Sequence, residues 1–197
     1  MGNFTDRQIE IIEAATARID KYGIQNLTIK NLAADIGLSE PALYRHFASK
    51  NEILLGLLNY FIAEMKNRIQ GIAMNPNNTE GNNLRAIFNS QLLAFTNKPA
   101  IVSVIFAESI FHFDDGLSAK VAEIMDLMHK YVSDNIKSGQ ESGKYSKLIG
   151  VSTLTTIIIG SIRLTVLKWK LSGHKSNLLK EGNAVLDGIL KMIENKN

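Results

Sequence analysis

The sequence predicts an all-α protein built in two parts. Apolar residues recur at helical spacing along most of the chain, helix-start signals precede the periodic runs, and no strand-like alternation of useful length appears. Only three prolines fall in 197 residues, so the breaks between helices come mostly from Gly, Ser and Asn. The chain has no internal repeat.

Each element carries its own signals. Thr5 and Gln8 form a capping box, with Phe4 and Ile9 placed as a hydrophobic staple. Ile9, Ile12, Ala15, Ile19 and Tyr22 then share one helical face, and Gly23 ends the helix. Thr28 caps a short helix with Ile29, Leu32, Ala33 and Ile36 inward, and Gly37 stops it. Ser39 caps another, which carries Pro41 in its first turn, where a missing N–H costs nothing, and ends near Phe47. A second capping box at Ser49–Glu52 launches a long helix to about Ile72. Met74 to Asn83 is rich in Asn, Pro and Gly and is expected to be a loop. Further helices are expected near 84–96, 99–112, 117–138, 146–171 and 175–195.

Composition excludes several chemistries. With no cysteine, disulfides, iron–sulfur clusters, thiolate zinc sites and cysteine nucleophiles are all ruled out, which fits a reducing cytoplasm. The N-terminus has neither a basic lead nor a continuous apolar run, so no secretory signal is expected. Leu148 to Leu167 is apolar enough to suggest a membrane span. It carries Arg163 and eight Ser, Thr or Gly residues, however, and is expected to be a helix buried among helices. The net charge of +3 is no evidence for nucleic acid, because the basic surplus sits at residues 144–197. There, nine Lys and Arg face three Asp and Glu, whereas residues 1–72 hold eight of each.

The informative stretch is Leu27 to Lys50, LTIKNLAADIGLSEPALYRHFASK. Two short helices separated by Gly37-Leu38 make a helix-turn-helix, in which the second helix enters a DNA major groove. Gly37 supplies the positive φ of the turn. Leu32, Ala33, Ile36, Leu38, Leu43 and Phe47 are expected to hold the helices at a fixed angle. Glu40, Pro41, Ala42, Tyr44, Arg45 and His46 are then left to face outward. Tyr44 and His46 are long enough to reach phosphates, and Arg45 can fork onto a guanine. The amides after Thr28 and Ser39 suit phosphate, and Lys50 is a point charge for the DNA backbone. Glu40 either accepts from a cytosine amino group or repels phosphate, so the operator sequence does not follow.

The pattern T-I-x-x-L-A-x-x-I-G-L-S-x-x-x-L-Y-R-H-F-x-S-K-x-E-I-L, filled by Thr28 through Leu54, resembles the signature of TetR-type DNA-binding domains. The resemblance extends loosely over residues 5–70. It implies that Lys30, Glu40, Pro41, Ala42 and Arg45 meet bases, and that Thr28, Ser39, Tyr44, His46 and Lys50 meet phosphates. It also implies a helix-turn-helix domain over 1–50, a connecting helix over 51–72 and a helical effector-binding and dimerisation domain over 73–197. The expected protein is a cytoplasmic, sequence-specific regulator of transcription that binds a palindromic operator as a homodimer and is released from it by a small-molecule effector.

The larger half carries no shared motif. Its two terminal helices are the candidates for dimerisation. The first is apolar around much of its circumference, with Gly150, Gly160 and Ser161 permitting close approach; the second repeats Leu178, Leu179, Val185, Leu186, Ile189, Leu190 and Ile193. Aromatic and Met side chains at helical spacing are more often packing than pocket. A cavity of the kind the resemblance implies would draw on Phe88, Phe95, Phe106, Met125 and Met128, with Ser109, His112, Thr155, Arg163 and Trp169 as polar or stacking contacts.

Two rival functions stay open. The stretches S-E-P-A-L-Y-R-H-F-A-S-K and N-K-P-A-I also resemble the nucleoid-occlusion branch of the same family, which binds chromosomal DNA and acts on cell division through protein contact. A metal-dependent helical enzyme would rest on Glu108 and His112, four residues apart, followed by Asp114 and Asp115. The chain has no glycine-rich phosphate loop, H-E-x-x-H or nucleophile elbow, so no catalytic residue, metal or cofactor is expected.

Overall fold

The computed structural model describes residues 4–74, 80–107 and 114–195. It is all-α as expected, with an isolated antiparallel bridge between Tyr145 and Glu194. The helices are α1 (Asp6–Tyr22), α2 (Ile29–Asp35), α3 (Glu40–Tyr44), α4 (Lys50–Ala73), α5 (Glu80–Asn97), α6 (Pro99–Ile105), α7 (Asp115–Glu141), α8 (Val151–Leu171) and α9 (Leu178–Ile193).

The chain packs as two compact units: Met1–Met65 with Asn97–Glu123, and Lys66–Thr96 with Ile124–Asn197. This differs from the 1–50, 51–72 and 73–197 division drawn from the sequence. Helix α6 packs on α1, so residues from the middle of the chain join the N-terminal head. Of the loop predicted over 74–83, residues 75–79 lie outside the described residues, and α5 already begins at Glu80. Extending an anchored helix by one turn costs little once Leu84, Ile87 and Phe88 are buried.

In the head, the helix starts form as their signals predict. The Gln8 amide donates to Thr5 Oγ1 at 3.2 Å, and the Thr5 amide donates to Gln8 Oε1 at 3.1 Å. The Glu52 amide donates to Ser49 Oγ at 3.1 Å, while the Glu52 carboxylate reaches one residue further back than a standard box, taking the Ala48 amide at 2.7 Å. The buried face of α1 is Ile11, Ile12, Ala15 and Ile19. Tyr22, placed on that face from the sequence, is instead exposed, with the Arg18 and Lys21 cations 5.1 and 5.0 Å from its ring centroid.

In the second unit, helices approach where side chains are missing. A Cβ on Gly182 of α9 would lie 2.5 Å from Leu92 Cδ1 of α5, and one on Gly139 would overlap the ring of the fully buried Tyr145. Arg85 Nε meets Asp187 Oδ1 at 2.7 Å, which also ties α5 to α9. Residues 146–150, predicted as the start of a helix, form a loop. Gln140 Nε2 donates to the carbonyls of Ser146 and Ile149, both at 2.8 Å, and Gly150 takes an extended N-cap conformation before α8. The last helix likewise starts later than 175, where Asn177 caps the Lys180 amide at 2.9 Å.

Helix α8 is long and apolar enough to cross a membrane by composition, with a third of its apolar window buried. The expectation of an enclosed helix holds for one face only. Leu154, Ile158, Ile162, Val166 and Trp169 are buried, whereas Ile157, Leu164 and Leu171 are exposed.

Candidate nucleic-acid interface

The candidate site is built on α2, α3 and the turn between them. Thr28 caps α2 by accepting from the Asn31 amide at 3.1 Å, and Ser39 caps α3 by accepting from the Ala42 amide at 3.3 Å. Gly37 sits at φ 65, and the following Leu38 amide closes the turn onto the Ala33 carbonyl at 2.9 Å. A left-handed residue is required here, and a side chain would strain it.

Leu32, Ala33, Leu43 and Phe47 are buried beneath the two helices, with Ile36 and Leu38 half-buried at the edge. The Phe47 ring lies under Gly56 of α4, where a Cβ would fall 3.1 Å from Phe47 Cε1. A fixed core therefore sets the angle of α3. Helix α3 is short, and Arg45 follows it still in right-handed helical conformation, so its side chain continues the same spiral.

The remaining side chains face outward. Thr28, Lys30, Ser39, Glu40, Pro41, Tyr44 and Arg45 are exposed, and Ala42, His46 and Lys50 are half-buried. Tyr44 is 49% exposed while its neighbour Leu43 is fully buried, which gives the reading helix its sidedness. A large aromatic ring held in water one residue from a core leucine suits contact with a partner.

Two of these side chains stand differently from the plain sequence reading. Lys50 Nζ donates to the Ile24 carbonyl at 3.1 Å, and burial lowers its pKa. It braces the turn after α1 as well as carrying charge. The His46 carbonyl accepts from Gln8 Nε2 at 3.3 Å, which ties the end of α3 to the first turn of α1. The caps also use part of the amide supply. In the first turn of α3, Pro41 has no N–H and Ala42 is bonded to Ser39, which leaves the Glu40 amide to face an anion.

A further bracing residue had no signal in the sequence. Arg18 Nη1 meets Asp35 Oδ2 at 2.5 Å and Arg18 Nε donates to the Asn26 carbonyl at 3.0 Å, clamping α1 to α2. The partners lie 17 and eight residues away. Neither contact follows from helical spacing, because Asn26 and Asp35 both lie beyond the end of α1.

Of the described residues expected to line an effector cavity, all but Phe106 lie in the second unit. Phe88, Met128, Thr155 and Trp169 are buried in the second unit, Phe95 and Arg163 are half-buried there, and Met125 is 45% exposed with its sulfur 3.9 Å from Arg163 Nη1. Thr155 Oγ1 is buried without a hydrogen-bond partner, and the Trp169 ring lies 4.3 Å from that of His174. Phe106 belongs to the head. Ser109, His112 and Glu108 lie outside the described residues, so the structure does not bear on the Glu108–His112 metal reading. Among the described residues no group of three or more His, Asp or Glu is arranged to hold a metal.

The family model for bacterial regulatory proteins of the tetR family matches residues 11–57, and that for the YsiA-like protein C-terminal region matches residues 56–192. The nucleoid occlusion factor SlmA of Photobacterium profundum is 23% identical over 87% of each chain. The fatty acid metabolism regulator protein of Bacillus subtilis is 25% identical over 96% of this chain and 97% of its own. The fold is that of the transcriptional regulator FadR from Bacillus subtilis, solved in complex with stearoyl-CoA, with a TM-score of 0.75, 21% identity and coverage of 94% and 98%. The two matches together span the helix-turn-helix and most of the remaining chain, and the protein belongs to the tetR family of DNA-binding transcriptional regulators.

Proposed function

We propose that the protein is a cytoplasmic repressor that binds a palindromic operator as a homodimer and leaves it when a fatty acyl thioester binds the C-terminal half. The observation that carries this reading is the sidedness of α3: Tyr44, Arg45, Glu40 and Pro41 face solvent from a helix whose Leu43 and neighbouring Phe47 are locked in the core. In such a frame Lys30, Glu40, Pro41, Ala42 and Arg45 address base edges, while Thr28, Ser39, Tyr44, His46 and Lys50 address phosphates.

The exposed face of α8 supports the dimer. Ile157, Leu164 and Leu171 recur every seven residues, 41%, 57% and 75% exposed, with open Gly160 among them. Helix α9 adds exposed Ala184, Gly188 and Met192. Apolar and small residues on an open helical stripe suit a symmetric four-helix contact. The two-fold axis would then set the two reading helices one DNA turn apart.

An acyl thioester is favoured by the near full-length match to the fatty acid metabolism regulator and by the stearoyl-CoA complex of the FadR fold neighbour. The buried Thr155 hydroxyl offers a polar contact within an otherwise apolar region. A ligand that binds the DNA-incompetent state better shifts the dimer toward it and lowers operator affinity by linkage.

The matches to SlmA support a second reading, in which the same head binds dispersed chromosomal sites and the second unit meets a cell-division protein. Genome-wide recovery of bound DNA, with wild type beside a Tyr44→Ala/Arg45→Ala variant, separates the two. A few palindromic sites lost in the variant, and released by an acyl-CoA in vitro, support the repressor. Many dispersed sites insensitive to acyl-CoA move the protein to nucleoid occlusion, and no enrichment removes both.

A further inference from the structure

Within the head, α1, α4 and α6 line a half-open cavity of about 250 Å³, near the small end of ligand sites. Ile12, Leu57, Phe61 and Ile101 make its apolar wall. Its polar side is charged and lopsided: Glu13 and Asp20 come from α1, Glu64 from α4 and Lys98 from the start of α6. The Lys98 ammonium lies 3.1 Å from Glu64 Oε2, and so neutralises that carboxylate alone. Among the described residues no ion pair engages Glu13 or Asp20.

Two further features favour a positively charged ligand. Lys98 Nζ stands 5.1 Å from the centroid of Tyr60, so the ring lining this cavity already hosts an ammonium on its face. Asp20 is open to solvent on one side but walled in on the other. That desolvation pushes its carboxyl up to about 6 against the opposing bond from the Ala100 amide. A positive group in the cavity would supply the ion pair that Glu13 and Asp20 do not make with the described side chains.

We propose that this cavity is a second ligand site, separate from the effector region, which takes a small primary amine with an apolar body. The ammonium sits between Glu13 and Asp20 and against the face of Tyr60, and the body lies against Ile12, Leu57 and Ile101. The site is built wholly from the DNA-reading unit and does not depend on the identity of the acyl ligand.

The test is a titration of the isotopically labelled full-length protein with 2-phenylethylamine, 2-phenylethanol and 3-phenylpropionate, read by amide chemical shifts. The amine is expected to saturate, to bind roughly tenfold or more tightly than the alcohol or the acid, and to shift amides of α1, α4 and α6. Glu13→Gln/Asp20→Asn is expected to abolish the preference for the amine, and Tyr60→Leu to weaken the amine more than the alcohol. The proposal is overturned by an amine that does not saturate at millimolar concentration, by equal affinity of the three compounds, or by shifts confined to α8 and α9.

Discussion

Helices α3 and α8 present their side chains in opposite ways. Helix α3 spans five residues and puts Glu40, Pro41 and Tyr44 into water, with Leu43 alone fully buried. Helix α8 spans 21 residues, buries a polar Thr155 with its apolar neighbours, and leaves Ile157, Leu164 and Leu171 in water. A polar exposed face needs no further protein to be stable and is free to meet a nucleic acid. An apolar exposed stripe is unfavourable alone and is stabilised by covering it. One chain thus presents two exposed surfaces of different chemistry, one polar and one apolar.

The strongest way to break this contrast is to place charge on the apolar stripe. Ile157→Glu/Leu164→Glu is expected to give monomers in sedimentation velocity and to lower operator affinity by about two orders of magnitude or more, since each half-site then binds alone. A double variant that stays dimeric would assign the stripe another purpose. Next in size is Tyr44→Ala/Arg45→Ala, expected to weaken operator binding roughly a hundredfold by fluorescence anisotropy, at unchanged melting temperature. A lowered melting temperature would mean that Tyr44 belongs to the core.

Two glycines sharpen the comparison in terms of stability. Gly139→Ala forces a methyl into the buried Tyr145 ring and is expected to cost about 1–3 kcal/mol in thermal or urea unfolding. Gly37→Ala meets open space but a φ of 65, and is expected to cost about 1 kcal/mol. Gly37→Asn should recover part of that loss, because asparagine tolerates left-handed backbone; Gly139→Asn should recover nothing. Equal behaviour of the two asparagine variants would show that one of these explanations is misassigned.

The smallest effect concerns Asp20. Its native carboxyl titrates near 6, above its ordinary 3.8, so between about pH 4 and 6 the folded protein holds a proton that the unfolded chain has released. The stability from this group is therefore complete below that window and lost as pH rises through it. The carboxyl is open to solvent on one side, which limits the effect to less than about 1 kcal/mol. Melting temperatures of wild type and Asp20→Asn are expected to diverge across pH 4–6 and to run parallel above pH 7.

The head was legible because its signals are short in sequence range. Thr5 with Gln8, Ser49 with Glu52, and Thr28, Gly37 and Ser39 each act within four residues, and their hydrogen bonds and φ values match that local chemistry. The second unit was legible in periodicity only. Residues 146–150 looked helical until the Gln140 side chain took the Ser146 and Ile149 carbonyls. The cavity of the head escaped the sequence altogether, because Asp20, Glu64 and Lys98 come from three helices with no shared spacing. An effector cavity could not be told from a core in the sequence, since aromatic and Met residues at helical spacing, such as Phe88 and Met128, pack a core and line a pocket with the same pattern.

By itself the sequence determined the all-α class, the capped starts of the head helices and the polarity of the reading face. Each depends on hydrogen bonds and apolar periods between near neighbours, whose energies act wherever the chain then packs. Tertiary structure decided that residues near Lys98 join the head, that Arg18 clamps Asp35, that Tyr22 faces water, and that one side of α8 stays uncovered. Those outcomes depend on which faces meet, and burial rewards any apolar match of the right shape, whatever its distance along the chain.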